Sequence, residues 1–368
     1  MNSREIDLIY TIKQMVLLQT IFPLLGRIGW HVIPSRRRRN LYISKEAARL
    51  EKALKSGNLR QAVLVYDNSV SPPSYGDFIN VLMIGRFLAA NQIVIDLILT
   101  NTDYLEYFSS LLTKNKLDEF VEEEKTVAES LIMGINITVC TSRELTEVLG
   151  QREKNGEYIV FHDYVKNHRA TYHMAFDLAK LVLANARSDI SNLTLFSKNT
   201  TFVHSMELPT AKYIAFACRW NESWGQHRNM SAELFLNLVN LLRNEFPTYG
   251  LLAVSDRIGC DHFRSIANEN QLACSFSKDY SGSFLGDAAL VLNSEAWVQI
   301  RGGGIGIIPL WSDLPFLFFG RISNERSLLN KSTSHLRNDN QRFIVDYGLP
   351  SDRRIKKFLS QMNLKLDS

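Results

Sequence analysis

The chain has 368 residues, of which 45% are apolar, 22% charged and 10% aromatic. That is too long for one average domain and enough for two sizeable cores. A net charge of +4 is far from the footprint of a general nucleic-acid binder, so nucleic acid is excluded as a partner and anions are expected only at local basic sites. Cys140, Cys218, Cys260 and Cys274 lie far apart with no CxxC and no paired Cys/His spacing. They read as reduced, half-buried thiols of a cytoplasmic protein that holds no metal and needs no cofactor. The N-x-S/T triplets at Asn136, Asn192, Asn199, Asn221, Asn229 and Asn330 follow no secretory signal and read as chance occurrences.

Residues 1–56 read as a helical N-terminal extension. Its apolar run is broken by Lys13, Gln14, Gln19, Pro23 and Arg27, so it is too short to span a bilayer. Two compatible readings remain: a helix pair packed on the body, or a peripheral membrane contact through residues 8–39. In the second, Arg36 to Arg39 and Trp30 would meet anionic head groups at the inner face of the membrane.

From residue 57 the pattern alternates. Buried strands are expected at 61–68, 92–100, 135–142 and 157–164, each short, β-branched and bounded by polar residues. Helical periodicity fills 78–91, 117–132, 143–150 and 173–186. This is the βαβ pattern of a doubly wound parallel sheet, the first Rossmann-like domain, over 57–190. A polar linker, 191–210, leads to a second run of strands at 212–220, 249–256 and 272–279, with helices at 231–245, 260–270 and 283–291. "WVQIRG" and "PFLFFG" supply the last strands, on either side of a glycine-rich turn and a short helix. The second Rossmann-like domain occupies 211–346, its tail polar, and a C-terminal helix closes the chain over 347–368. The expected fold is α/β, with two doubly wound halves facing a cleft.

In open parallel sheets, ligands bind at the carboxyl ends of strands, where helix N-termini favour anions. Each notable motif lies at such an edge. Gly302, Gly303, Gly304 and Gly306 do not have G-x-G-x-x-G spacing and are not followed by the Lys-Ser/Thr of a Walker loop. They serve either a tight turn or a diphosphate held by bare N–H groups, including that of Ile305. Arg219 ends the first strand of the second half and opens "CRWNESWGQHRNMS", which also carries His227 and Arg228. Two guanidinium groups there suit a pyrophosphate, the alternative being a solvated surface loop. In the first half, Asp77 of "SPPSYGD" is placed either to cap a helix or to act as a general base on an incoming hydroxyl. His162 and Asp163 of "FHDY" form a competing pair, structural or catalytic. The chain has no D-x-D, H-E-x-x-H or G-x-S-x-G, which argues against metal-dependent transfer and serine hydrolysis.

Together the two α/β halves, the Gly-Asp loop, the arginine loop and the late glycine turn resemble nucleotide-sugar glycosyltransferases of the two-Rossmann-domain (GT-B) type. "IAFACRW" with the following "HR" is similar to the arginine loop of the fucosyltransferase-like branch, although Cys218 stands where that branch often has His-x-Arg. "LLAVSD" (251–256) and "EAWVQIRGGGIGIIPLWSDLPFL" (295–317) are similar to the later donor-site segments. The resemblance implies a nucleotide-sugar co-substrate and a glycan or lipid-linked acceptor. It puts the diphosphate against Arg219, Arg228 and the turn from Gly302 to Gly306, without a metal. The base and ribose would lie near Ser255, Asp256, Ser294 and Glu295. Asp77 is the first choice of catalytic base, with His162 and Asp163 second. Two rival readings stay open: a nucleotide-sugar epimerase or isomerase on the same scaffold, and a partner-binding protein that has lost catalysis.

Overall fold

The computed structural model describes residues 36–68, 75–101, 114–163, 208–221, 229–300, 304–310, 314–319 and 345–346, with isolated positions at 165, 196, 203, 312 and 353. The N-terminal patch up to residue 35, the helix expected at 173–186, most of the linker, Arg228, Gly302, Gly303 and the C-terminal helix lie outside them.

Among the described residues, helix α1 (Arg36–Lys55) comes first and falls within the expected helical extension. The first half then runs β1 (Gln61–Tyr66), α2 (Tyr75–Ala90), β2 (Val94–Thr100), α3 (Lys114–Leu131), β3 (Asn136–Cys140), α4 (Ser142–Lys154) and β4 (Tyr158–Ile159). The second runs β5 (Tyr213–Ala217), α5 (Ala232–Glu245), β6 (Gly250–Val254), α6 (Arg257–Glu269), β7 (Ser275–Phe276), α7 (Phe284–Asn293), β8 (Ala296–Ile300), α8 (Ile307–Leu310), β9 (Phe316–Phe319) and β10 (Val345–Asp346). Short 3-10 turns occupy Ser277–Asp279 and Gly304–Gly306.

Both sheets are wholly parallel. The first has four strands in the order β3-β2-β1-β4, the second six in the order β10-β9-β8-β5-β6-β7. In the second, the chain winds outward from β5 to β7, returns, and winds the other way through β8. This reversal is the doubly wound Rossmann order. It places Phe216 opposite Val298 on neighbouring strands.

Side-chain alternation gives each strand of the second sheet two faces. Tyr213, Ala215, Ala217, Leu252, Val254, Trp297 and Phe316 join a core that continues into the first half. Ile214, Phe216, Leu251, Ala253, Val298 and Leu317 pack on the other side against Phe235, Leu238 and Leu242 of α5 and Phe263 of α6. Caps fix where the helices begin. Thr141 and Glu144 form a capping box on α4, while Ser231, Asp256 and Ser283 cap α5, α6 and α7 with their side-chain oxygens.

Helix α2 is apolar around its whole circumference, and Phe78 to Gly85, Phe87 and Leu88 are all buried. Gly85 lets it close on β1 and on Ile132: a methyl group there would come within 2.9 Å of Leu64 and 2.8 Å of Ile132. Its other side meets the Gly304–Gly306 turn of the second half.

Three expectations change. The strand foreseen at 157–164 shrinks to Tyr158–Ile159, because Phe161 takes a left-handed conformation, φ 55°, and breaks the extended run. The strand at 272–279 becomes two residues and a 3-10 turn. The polar tail supplies a further strand, β10, beside β9.

At the amino edge of the first sheet, Asp96 is buried and accepts from Gln61 Nε2 at 2.5 Å, Asn136 Nδ2 at 2.7 Å and Arg152 Nη1 at 2.8 Å. It ties β1, β2, β3 and α4 together. Asp96→Ala strands these donors and is expected to cost about 3 kcal/mol, read as a lowered midpoint in urea denaturation.

Candidate functional site

Since every strand is parallel, all strands of a sheet end at one edge. In the second half, Arg219 follows β5 and is half-buried, directly after the buried Cys218. The base of its loop is cinched: Met230 N–H donates to Arg219 O at 2.9 Å, and Asn221 and Asn229 exchange hydrogen bonds of 3.0 and 2.8 Å. Trp220 stacks on His262 of α6, ring centroids 3.9 Å apart. The Gly304–Gly306 turn follows β8, the strand beside β5. Arg219 and the glycine turn therefore leave adjacent strand ends at the point where strand order reverses.

What the glycines approach is now visible. A methyl group on Gly306 would lie 2.0 Å from Gln299 Oε1, and Gln299 is buried with Trp297 Nε1 donating to it at 3.1 Å. Ile307 and Ile308 are buried in the continuous core. The turn thus packs onto Gln299 on one side and onto α2 of the facing half on the other.

Ser255 and Asp256 follow β6 at the same edge. Asp256 caps α6 by accepting from Gly259 N–H at 2.8 Å, and a methyl group on Gly259 would meet Ser255 Oγ at 2.1 Å. Ser294 and Glu295 precede β8 and lie at the opposite, amino edge. Ser294 is buried, its hydroxyl donating to Val291 O at 2.6 Å and close to Ala296 O at 3.1 Å. The amino edge also holds a cavity of about 560 Å³, lined by Thr210, Tyr213, Gly250, Ser275, Asp279 and Tyr280. The sequence-predicted nucleotide residues are thus divided between the two edges.

In the first half, α2 starts at Tyr75, so Asp77 is its third residue rather than its cap. It remains at the carboxyl edge of β1, half-buried, where the helix dipole favours a carboxylate. His162 and Asp163 face elsewhere. Asp163 takes Lys45 of α1 at 2.5 Å, His162 Nε2 lies 3.3 Å from Glu153 of α4, and the two are 3.5 Å apart. The Lys45 hydrogen bond holds the Asp163 carboxyl below its usual range. This cluster fastens α1 and α4 to the edge strand.

A network that sequence reasoning missed lies under the carboxyl edge of β1 and β2. Thr100 Oγ1 donates to Asp67 Oδ1 at 2.8 Å, and Asn68 Nδ2 donates to Thr100 O at 3.1 Å and to Glu124 Oε2 at 2.9 Å. All four residues are buried. Burial pushes the Glu124 carboxyl well above its ordinary value, against the pull of Asn68 and with a further push from Glu123. The only sequence signal was a strand ending in Asp-Asn; Glu124 was hidden in an acidic run.

No protein-family model matches the chain and no curated protein matches its sequence. Among solved structures it is similar to a glycosyl transferase family 9 protein from Veillonella parvula DSM 2008, at 11% identity and TM-score 0.48, over 83% of this chain and 97% of that one. It is also similar to a glycosyltransferase from Rickettsia africae ESF-5, at 9% identity and TM-score 0.39, over 84% and 90%. A protein from Listeria monocytogenes assigned as UDP-N-acetylglucosamine 2-epimerase aligns at 8% identity and TM-score 0.41, over 84% and 89%. At these scores the likenesses carry no argument about chemistry; the fold rests on the strand order itself. Two parallel Rossmann-like halves packed on one another form the GT-B architecture.

Glu124 generates a pH test. Its folded pKa is raised, so between the ordinary carboxylate range and that raised value the folded chain holds a proton the unfolded chain has released. The contribution of Glu124 to stability is then full at low pH and is lost as pH rises through that window. Glu124→Gln, a neutral isostere, is expected to flatten this loss above the ordinary carboxylate range, measured by urea denaturation across pH.

Proposed function

We propose that the chain is a glycosyltransferase moving a sugar from a nucleotide-diphosphate donor to a glycan or lipid-linked acceptor, without a divalent ion. One observation carries the reading: Arg219 and the glycine turn depart from adjacent strands at the strand-order reversal of the second sheet. Crevices at such reversals are where open α/β sheets bind their ligands. A guanidinium there is permanently charged and matches two phosphate oxygens at once. The glycine turn brings backbone close to that point, with Gly306 itself packed on Gln299. As the bond to the sugar breaks, negative charge grows on the departing diphosphate. A fixed cation lowers that barrier without reorganising.

In this reading the second half holds the donor and the first half the acceptor. Asp77, at the carboxyl edge of β1, takes the proton from the acceptor hydroxyl. Asp256 and Ser255, at the end of β6, lie on the donor side near the stacked pair of Trp220 and His262. Arg228 and the basic, apolar segment 8–39 add a second phosphate contact and a peripheral membrane contact in the same scheme.

Two measurements test the proposal. Thermal unfolding with GDP, UDP, ADP and CMP should show one diphosphate raising the midpoint, in the presence of EDTA. Arg219→Ala should weaken that nucleotide by roughly 10- to 100-fold, the range of a charge-assisted contact. No shift with any nucleotide, or an unchanged affinity in Arg219→Ala, rejects the donor site. Asp77→Asn should keep the nucleotide shift yet lower transfer to acceptor by at least about 100-fold, as expected on losing a general base. Release of an epimerised nucleotide sugar with no acceptor present would favour the epimerase reading instead.

A further inference from the structure

Helix α7 begins at the seam between the halves, and its first turn is capped from both sides. Ser283, from its own half, accepts from Gly286 N–H at 3.0 Å. Phe284 N–H instead donates across the seam, to Glu123 Oε1 on α3 at 2.6 Å. A carboxylate at this position meets the positive end of the helix dipole. The other oxygen of Glu123 accepts from the Tyr75 hydroxyl, at the start of α2. Burial and that hydrogen bond push the Tyr75 hydroxyl far above its ordinary pKa, so it stays a donor. The Tyr75 ring stacks on Phe284, with centroids 4.1 Å apart and planes 17° apart, and Phe120 of α3 packs against the same tyrosine at 4.8 Å. Two side chains of one half thus grip one residue of the other, Glu123 by its backbone and Tyr75 by its ring, with Phe120 packed behind Tyr75.

The surrounding charges leave this place to Glu123. Glu124 is turned to Asn68 at 2.9 Å, and Asp287 of α7 is matched by Lys278 at 2.6 Å, both largely buried. Among the described residues, the seam also holds apolar contact between α2 and the Gly304–Gly306 turn with Ile307 and Ile308. Apolar contact is non-directional and lets surfaces slide. The Glu123 contact admits one register. Glu123 is only half-buried, so water can replace Phe284 as its partner. Helix α7 also packs on the glycine turn and on α8, so its position sets theirs.

We propose that Glu123 is a closure latch: bonded to Phe284 N–H it holds the two halves shut at this side of the seam, and its release lets them swing apart about the α2 contact, which stays buried. The inference stands whether or not the cleft transfers sugar.

Small-angle scattering and hydrogen exchange at the Phe284 amide, on the full chain, test it. Glu123→Ala should enlarge the radius of gyration and speed Phe284 exchange by about tenfold or more, the range of a lost charge-assisted hydrogen bond. Glu123→Gln keeps one acceptor oxygen but loses the charge and the second acceptor, and should fall between wild type and Glu123→Ala in both. Unchanged scattering and exchange in Glu123→Ala, or a Glu123→Gln variant as open as Glu123→Ala, overturns the latch. If Glu123→Ala does not fold, Tyr75→Phe decides: it keeps the ring stack and deletes the hydroxyl donor. Faster Phe284 exchange then supports the latch, and wild-type exchange overturns it.

Discussion

A helix that is apolar on every side cannot rest on a surface; it has to be covered all round. Helix α2 imposes that requirement here. Its residues from Phe78 to Leu88 lie against β1 and β2 on one side and against the glycine turn of the second half on the other. The first sheet alone offers α2 a single face, so the second half completes its burial. The hydrophobic core consequently runs without a break from Ala62 and Leu64 to Trp297 and Ile308. The two halves are bound through this helix.

Polar groups at the seam then decide how the halves meet. Apolar burial supplies attraction and little geometry, whereas a carboxylate on a helix N-terminus supplies direction. Glu123 and Glu124 are consecutive residues with opposite fates. One is half-buried and bonded to a backbone N–H of the other half; the other is fully buried beside Asn68, and burial pushes its carboxyl well above the ordinary value. Helical rotation of about 100° between neighbours sends one to the seam and the other beneath the sheet edge.

Much of this was legible in the chain. Short β-branched runs such as "AVLVY" and "YIAFA" cannot reach water on either face, and they became central parallel strands. The place of Arg219 after β5 was legible because it directly follows such a run, whereas Asp256, read as a nucleotide residue, caps α6 in the structure. Asp77 was displaced from its expected capping role by Tyr75 and Gly76, which already take helical geometry. Ser294 and Glu295 looked like strand-end residues but precede β8 instead of following it, so they sit at the amino edge. Sequence spacing marks that a strand ends nearby; it does not say which end.

By itself the sequence determined the element types, the parallel winding and the division into two halves, because burial periodicity and loop length are local properties of the chain. Only the tertiary structure decided that the Gly304–Gly306 turn meets α2, that His162 and Asp163 fasten α1 and α4, and that Glu123 caps a helix 161 residues further on. Those contacts join segments far apart in the chain, and nothing in the spacing of either segment records the other. Packing brings them together, and burial sets their charge.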